Sequence, residues 1–271
     1  IKDAINKTNA KFILILGDAD QVPVRYVWIP DGYLDEGILD GSIVETDLYY
    51  ADLQYTWDDN NDGRWGDLGN DTVDGIPDVF VGRLPASTQE EAEILVGKIM
   101  NYRPVGDWFK KYLLLGTDPF TQYSGAEGEI LKDYVEGLAP GEFTYVRLYQ
   151  TMGNLTKENV KTEINDGFGF VNFAGHGNIY SWNLGGNQLY RSWDASNQVN
   201  GYRLPVVFAM ACLTAEFSDM DCIGEAFLLN QNGGAIAYFG ASRVAWAYAG
   251  WWVMSGLAGE MDWRFSEALS Y

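Results

Sequence analysis

Histidine and cysteine are scarce in this chain of 271 residues, which holds one histidine, His176, and two cysteines, Cys212 and Cys222. Two cysteines cannot build the disulfide framework that stabilises many small secreted domains. No apolar run reaches the roughly 18 residues that span a bilayer, so no membrane insertion is expected. The sequence also lacks a Gly-x-Gly-x-x-Gly turn and a P-loop, which argues against a nucleotide or other organic cofactor.

Basic side chains are few as well, since 18 Lys and Arg face 38 Asp and Glu for a formal net charge of −20. Nucleic acids and anionic membranes bind basic surfaces, so neither is expected as a partner. The acidic surface favours cations instead. A hydrophobic content of 47 % and an aromatic content of 15 % are typical of a packed globular protein.

Two short apolar runs each end in a turn of small residues that carries a reactive side chain. Residues 169–177 read GFVNFAGHG and contain His176, and residues 204–217 read LPVVFAMACLTAEF and contain Cys212. Such runs predict buried strands, and sites in parallel sheets form outside the carboxyl ends of strands. Taken alone, His176 is more simply interpreted as an ordinary turn residue and Cys212 as a small buried side chain. Together they predict a nucleophile and its general base.

The backbone around the two side chains fits the same hypothesis. Gly177 leaves room beside His176 for a substrate chain, and the N–H groups of Gly177 and Cys212 are predicted to bind a developing oxyanion. Asp118 follows the apolar run 112–115 and therefore lies just past a third strand. The alternative for Asp118 is an ordinary helix N-cap. Cys212 is predicted to be free and Cys222 to be buried at the start of the next helix, although a disulfide between them is possible.

The acidic turn at residues 58–67 reads DDNNDGRWGD, in which oxygen-bearing side chains alternate before Gly63. This spacing is the first half of a calcium-binding loop, but the twelfth position is Gly69 and the flanks are not helical, so it is no EF-hand. We predict a structural Ca²⁺ clip on a surface hairpin; a purely hydrophilic turn is the alternative. The predicted ligands are Asp58, Asn60, Asp62, Asp67 and the backbone carbonyl of Arg64.

Both halves of the chain alternate between strand and helix patterns, with a break at Arg103-Pro104-Val105-Gly106. We therefore predict two α/β subdomains packed side by side. Residues 1–105 would carry the calcium loop, and residues 106–271 the candidate catalytic side chains. Residues 32–41 are predicted to form a loop and residues 47–57 an extended segment.

The ordered motifs Ala-Gly-His-Gly, Ala-Cys-Leu-Thr-Ala-Glu-Phe and Cys-Ile-Gly-Glu-Ala-Phe resemble the gingipain-type cysteine peptidases of the caspase-like clan. Residues 46–52, 77–85 and 233–238 fit the same resemblance, which covers nearly the whole chain. It implies a caspase-like three-layer α/β sandwich with mostly parallel sheets. It also implies a cysteine endopeptidase that cleaves peptides or proteins through an acyl-enzyme, with Asp118 orienting His176. Relatives are often secreted multidomain proteins, so a larger extracellular protein is expected.

The resemblance further implies a pocket for the side chain that precedes the scissile bond. Trp246 is predicted to wall this pocket, whereas Trp251 and Trp252 are expected in the core or an interface. A basic residue before the cut would need a carboxylate, for which Glu127 or Glu129 is predicted; exposed helix charges are the alternative. Two other functions stay open: an inactive calcium-stabilised surface or adhesion module, and a transpeptidase that uses the same acyl-enzyme.

Overall fold

The computed structural model describes residues 1–29, 43–67, 69–138 and 141–270. The chain divides into two compact units, of which unit 1 comprises residues 1–93 with 217–219 and unit 2 comprises residues 94–216 with 220–271. The division at residue 93 precedes the boundary that the sequence places at residue 105. The loop predicted over residues 32–41 lies outside the described residues.

Unit 1 holds two small sheets, because β1 pairs with β4 in parallel and β2 pairs with β3 in antiparallel orientation. Its elements are α1 (Lys2–Thr8), β1 (Phe12–Leu16), β2 (Arg25–Trp28), β3 (Ile43–Thr46), α2 (Leu48–Ala51), β4 (Phe80–Leu84) and the first part of α3 (Gln89–Asn101). The extended segment predicted over residues 47–57 is wrong at its start, where α2 forms. The hydroxyl of Thr46 accepts the Leu48 N–H at 3.0 Å, so it satisfies one free donor at the start of this helix.

Arg83 ties the strands of unit 1 to the turns around them. Its guanidinium makes two hydrogen bonds to the carboxylate of Asp47, at 2.7 and 2.6 Å. The same side chain donates to the carbonyls of Gly17 and Val22. A planar guanidinium that is largely buried and makes four hydrogen bonds in this way fixes the geometry of the segments it joins.

Unit 2 is built on five parallel strands in the order β12-β11-β7-β5-β6. These strands are β5 (Lys111–Gly116), β6 (Thr144–Tyr149), β7 (Phe170–Ala174), β11 (Val206–Met210) and β12 (Ala237–Gly240), and a small antiparallel sheet contains β8 (Gly177–Asn178), β9 (Ser181–Asn183) and β10 (Leu189–Arg191). Its helices are α4 (Glu127–Leu138), α5 (Lys157–Asp166), α6 (Ser192–Ser196), α7 (Ile223–Leu228) and α8 (Leu257–Glu267), with short 3-10 turns at Asp107–Lys110, Gly250–Trp252 and Ala268–Ser270.

Alternate side chains of the central strands enter different core clusters. Leu113, Val171 and Val207 pack in one cluster with residues of α5 and α7. Leu114 and Phe208, one position further along their strands, pack in clusters that include residues of α4 and α8. Side chains of a strand alternate between its two faces, so the sheet of unit 2 is the middle of three layers. This explains why its strands are apolar almost throughout.

Candidate active site

Asp118, His176 and Cys212 occupy equivalent positions beyond three neighbouring strands. β7 lies between β5 and β11, and the last residues of these strands are in register with one another. Each of the three side chains belongs to the second residue after its strand ends. Because the strands are parallel, all three residues lie at the carboxyl edge of the sheet, where sites of α/β proteins form.

The loops that carry His176 and Cys212 touch each other through Gly177. A Cβ atom on Gly177 would lie 2.9 Å from the carbonyl oxygen of Cys212. It would also lie 2.8 Å from the Thr214 methyl group and 2.9 Å from the Ala211 Cβ. Only glycine permits this approach of one backbone to the other, so Gly177 brings the imidazole loop against the thiol loop.

Cys212 is a free, half-buried thiol whose sulfur accepts the N–H of Ala245 at 3.4 Å. The next residue, Leu213, holds a left-handed φ of 62°, a conformation that is costly for a leucine and typical of functional turns. In the described part of the chain, the Cys212 N–H donates to no protein acceptor, so it remains able to bind an oxyanion.

The second cysteine differs from Cys212 in its burial and in its neighbours. Cys222 is free and buried at the N-cap of α7, where its N–H donates to the Glu225 carboxylate at 2.7 Å. Burial, together with the neighbouring carboxylate, raises the pKa of this thiol well above its ordinary value. The prediction of a free Cys212 and a buried Cys222 is therefore confirmed, and the disulfide alternative does not form.

The ring of His176 is exposed and is held by the segment that follows β5. Its Nε2 lies 2.9 Å from the carbonyl oxygen of Pro119, and its ring meets Phe120 edge-on at 5.8 Å between centroids. A carbonyl can only accept, so Nε2 carries the proton and Nδ1 is the basic nitrogen. The hydrogen bond predicted from His176 to Asp118 is replaced by this bond to the neighbouring carbonyl.

Asp118 faces a second carboxyl group instead of the imidazole. Its N–H donates to Gln150 at 2.9 Å, while its Oδ1 is buried without a hydrogen-bond partner. Burial raises the pKa of Asp118, and the nearby Glu127 raises it further. The carboxyl side chain is therefore turned toward α4, which explains why it does not orient the histidine.

Glu127 and Glu129 both lie in the first turn of α4, close to the carboxyl edge of the sheet. Glu127 is fully buried, and one of its oxygens accepts the Gly250 N–H at 2.7 Å. Both oxygens of Glu129 are occupied by Thr151, which donates its N–H at 2.8 Å and its hydroxyl at 2.5 Å. Neither glutamate is the exposed helix charge of the alternative interpretation.

The segment after β12 runs along the same edge. Ala245 contacts the Cys212 sulfur, and Trp246, the next residue, is half-buried, with its carbonyl accepting from Ala258. Trp251 and Trp252 are 65 % and 72 % exposed, so of the two expected places, core or interface, the core is wrong and the interface stays a prediction. The turn that carries these indoles is held by its backbone, since the N–H of Gly250 donates to the buried carboxylate of Glu127.

The predicted calcium loop folds as a self-bonded turn within unit 1. The carboxylate of Asp58 accepts the N–H groups of Asp62 and Gly63, at 3.0 and 3.2 Å. The backbone N–H of Arg64 and the side chain of Asn60 hold the pKa of Asp62 below its ordinary value. Across the residues that the structure covers, no three or more His, Cys, Asp or Glu side chains are grouped as metal ligands.

Replacing Asp118 by asparagine is expected to stabilise the protein at pH 8 and to do so less at pH 4. The raised pKa of Asp118 means that its charge opposes folding above that pKa. As the pH falls through the raised pKa toward the ordinary value of 3.8, the folded wild-type protein takes up the proton first and the penalty is lost. Urea unfolding of both proteins at the two pH values measures the difference. An equal gain at both values would contradict the proposed cause.

Comparison with known proteins identifies the family of this chain. The family model for peptidase family C25 matches residues 1–270. The chain belongs to peptidase family C25. An uncharacterised protein of Archaeoglobus fulgidus is 26 % identical over 267 residues, covering 87 % of this chain and 57 % of that protein. Lys-gingipain W83 of Porphyromonas gingivalis is 24 % identical over 183 residues, covering 65 % of this chain and 10 % of the relative.

Two solved structures share the fold of this family C25 chain. The complex of Porphyromonas gingivalis RgpB pro- and mature domains has a TM-score of 0.69 at 16 % identity, covering all of this chain and 57 % of the other. The crystal structure of the Arg specific cysteine proteinase gingipain R has a TM-score of 0.62 at 18 % identity, covering 90 % and 52 %. The predicted gingipain-type α/β fold with mostly parallel sheets is therefore confirmed. The chain spans about half the length of these proteins and of the archaeal relative.

Sequence reasoning identified the three strand-end residues of this C25 domain but missed the groups that support them. Pro119, Ala245 and Gly250 act through backbone atoms, which every residue type carries, so no sequence signal marks them. Gln150 and Thr151 follow β6, which ends at the same edge. Their position after a fourth apolar strand was the one signal that could have found them.

Proposed function

We propose that this chain is the catalytic domain of a cysteine endopeptidase, with Cys212 as nucleophile and His176 as general base and then acid. The observation that carries the proposal is the contact of Gly177 with the Cys212 carbonyl at the ends of two paired strands. This contact supports a pairing of the one imidazole of the chain with the half-buried thiol of Cys212. Membership of a peptidase family supports the same reaction.

The reaction follows from the atoms at this edge. Nδ1 of His176 takes the proton of the Cys212 thiol, and the thiolate attacks the carbonyl carbon of the scissile peptide. The N–H groups of Cys212 and Gly177 bind the resulting oxyanion. The imidazolium then protonates the leaving amine, and water releases the acyl group. The Pro119 carbonyl accepts a hydrogen bond from Nε2, so it holds the ring and stabilises the imidazolium.

We further propose cleavage after a basic residue, with Trp246 as one wall of the pocket and a glutamate of α4 at its base. The names of two relatives, Lys-gingipain and an Arg specific cysteine proteinase, support a basic preference. Glu129 is satisfied by Thr151, whereas Glu127 keeps one buried oxygen without a hydrogen bond. Glu127 is therefore the better supported of the two candidates.

A peptide electrophile that ends in lysine or arginine tests the assignment directly. We expect it to modify Cys212 and to leave Cys222 unmodified, as peptide mapping by mass spectrometry would show. Cys222 serves as an internal control, since its buried thiol has a raised pKa. No labelling of a folded chain would reject the peptidase and favour the inactive surface module. Labelling by a glutamate-ended analogue alone would reject only the basic preference.

We propose that residues 58–67 bind a structural Ca²⁺ through Asp58, Asn60, Asp62, Asp67 and the Arg64 carbonyl. The residues fit such an ion in part. The loop gathers hard oxygen donors, and Asp67 is buried with an Oδ1 that has no hydrogen-bond partner. Unpaired buried carboxylate oxygens are costly, and a cation would offset that cost.

Chelation of Ca²⁺ is expected to lower the thermal unfolding temperature. An ion at 100 times its Kd stabilises the folded state by about 2.7 kcal/mol. Scanning calorimetry with added Ca²⁺ and with chelator measures the shift. Asp58→Asn should abolish most of the response, whereas Asp107→Asn, a change outside this loop at an exposed site, should retain it. A wild-type protein that is indifferent to chelator would refute the calcium clip.

We also propose that the chain works outside the cell as part of a larger protein. Its relatives are longer than this chain, which supports a multidomain context. None of the helices in the described ranges combines the length and the apolarity that crossing a lipid bilayer requires.

A further inference from the structure

A lysine, an asparagine and an aspartate meet in the core of unit 2, away from the peptidase residues. Lys132 of α4, Asn172 of β7 and Asp262 of α8 are each 0 % exposed. The Nζ of Lys132 lies 2.5 Å from Oδ1 of Asn172 and is hydrogen-bonded to Oδ2 of Asp262. Oδ1 of Asp262 accepts from Nδ2 of Asn172 at 2.6 Å. The three side chains therefore form a closed ring of hydrogen bonds.

This arrangement contains every group that an amide exchange needs. The amine is the nucleophile, the side-chain amide of Asn172 is the electrophile, and its Nδ2 is the leaving nitrogen. Asp262 contacts both nitrogens with different oxygens, so it can take a proton from one and give a proton to the other. A buried lysine amine in apolar surroundings is a nucleophile that proteins use elsewhere.

We propose that Lys132 and Asn172 join in an intramolecular isopeptide bond, with Asp262 as the proton relay. Nζ of the neutral lysine attacks Cγ of Asn172, and the bond from Cγ to Nδ2 breaks. Asp262 accepts a proton from Nζ through Oδ2 and delivers a proton to Nδ2 through Oδ1. The products are one secondary amide and one ammonia, Asp262 returns to its starting protonation state, and no oxidant or reductant is needed.

Burial supports the neutral form that this reaction requires. It lowers the pKa of Lys132 and raises the pKa of Asp262, although their mutual attraction opposes both changes. The other polar groups of the cluster are hydroxyls: Tyr112 accepts from Asn172 at 3.2 Å and is bonded to Ser266 at 2.7 Å. No further charged side chain makes a hydrogen bond to these three residues in the described part of the chain.

The bond would join α4 to the strand that leads to the active site. Asn172 lies four residues before His176 on the same segment, and α4 carries Glu127 and Glu129. A covalent link here would fix the helix on the sheet beneath both groups. It is independent of the peptidase reaction, because it uses none of the peptidase residues.

Intact-mass spectrometry of the purified chain, denatured before injection, tests the proposal. We expect a mass one ammonia below that of the sequence, and peptide mapping should find the Lys132 and Asn172 peptides joined. Asp262→Asn should restore the full mass. Asp3→Asn, which changes the exposed Lys7–Asp3 ion pair, should keep the deficit. Cys212→Ala should keep it too, which separates this proposal from the peptidase.

Three outcomes would overturn the proposal. A full wild-type mass would leave these residues as a buried ion pair only, whether or not any variant folds. A deficit of one water would place the new amide on Asp262 instead of Asn172. A deficit that disappears on mild alkaline treatment would come from succinimides at Asn200-Gly201 or Asn232-Gly233, because a side-chain amide survives that treatment.

Discussion

Replacing Cys212 by alanine is expected to lower kcat/KM for peptide cleavage by about 10⁴-fold or more, to the level left by binding and the oxyanion donors alone. His176→Ala should have an effect of similar size. The double variant should be scarcely worse than either single one, since thiol and imidazole act as a unit. Fluorogenic peptides with lysine or arginine before the cut measure all three variants.

The matched control for Cys212→Ala is Cys222→Ser. Serine keeps a side-chain acceptor at the N-cap of α7, where the cysteine sulfur accepts the backbone N–H of the third helical residue. We expect this variant to retain most of its activity. A Cys212→Ala protein that cleaves at the wild-type rate would remove the basis for the proposed mechanism, because the thiol is the only accessible one in the chain.

The parts of the fold that sequence reasoning found share one property: their signal is local. Apolar runs that end at small residues placed β5, β7 and β11, and with them Asp118, His176 and Cys212. The order of the strands in the sheet does not follow chain order, so their register could be tested only in three dimensions. The observed register brings Asp118, His176 and Cys212 to the same edge of the sheet.

What the sequence did not predict depends on long-range packing. Helix α8 was not anticipated, because its apolar pattern is interrupted by Asp262 and Ser266, which are buried through partners far away in the chain. Glu127 lies in a polar first turn that is typical of an exposed helix start. It is buried because Gly128 packs closely against the Ala174 carbonyl. In both places a distant segment of the chain provides the hydrogen-bond partner of a buried polar side chain.

Gly177→Ala is expected to lower kcat/KM by about 100-fold, because the new methyl group would push the imidazole loop away from the thiol, and a displacement of about 1 Å costs this much. Its Cβ would meet the Cys212 carbonyl oxygen at 2.9 Å, and backbone cannot move aside as a flexible side chain can. Gly97→Ala is the matched control, since a Cβ there has no neighbour within 4 Å. That helical variant should keep full activity and gain about 0.5–1 kcal/mol of stability. Peptide cleavage and urea unfolding of both variants separate the two effects. Full activity in Gly177→Ala would mean that the two loops are not held together at this glycine, and the pairing of His176 with Cys212 would lose its structural support.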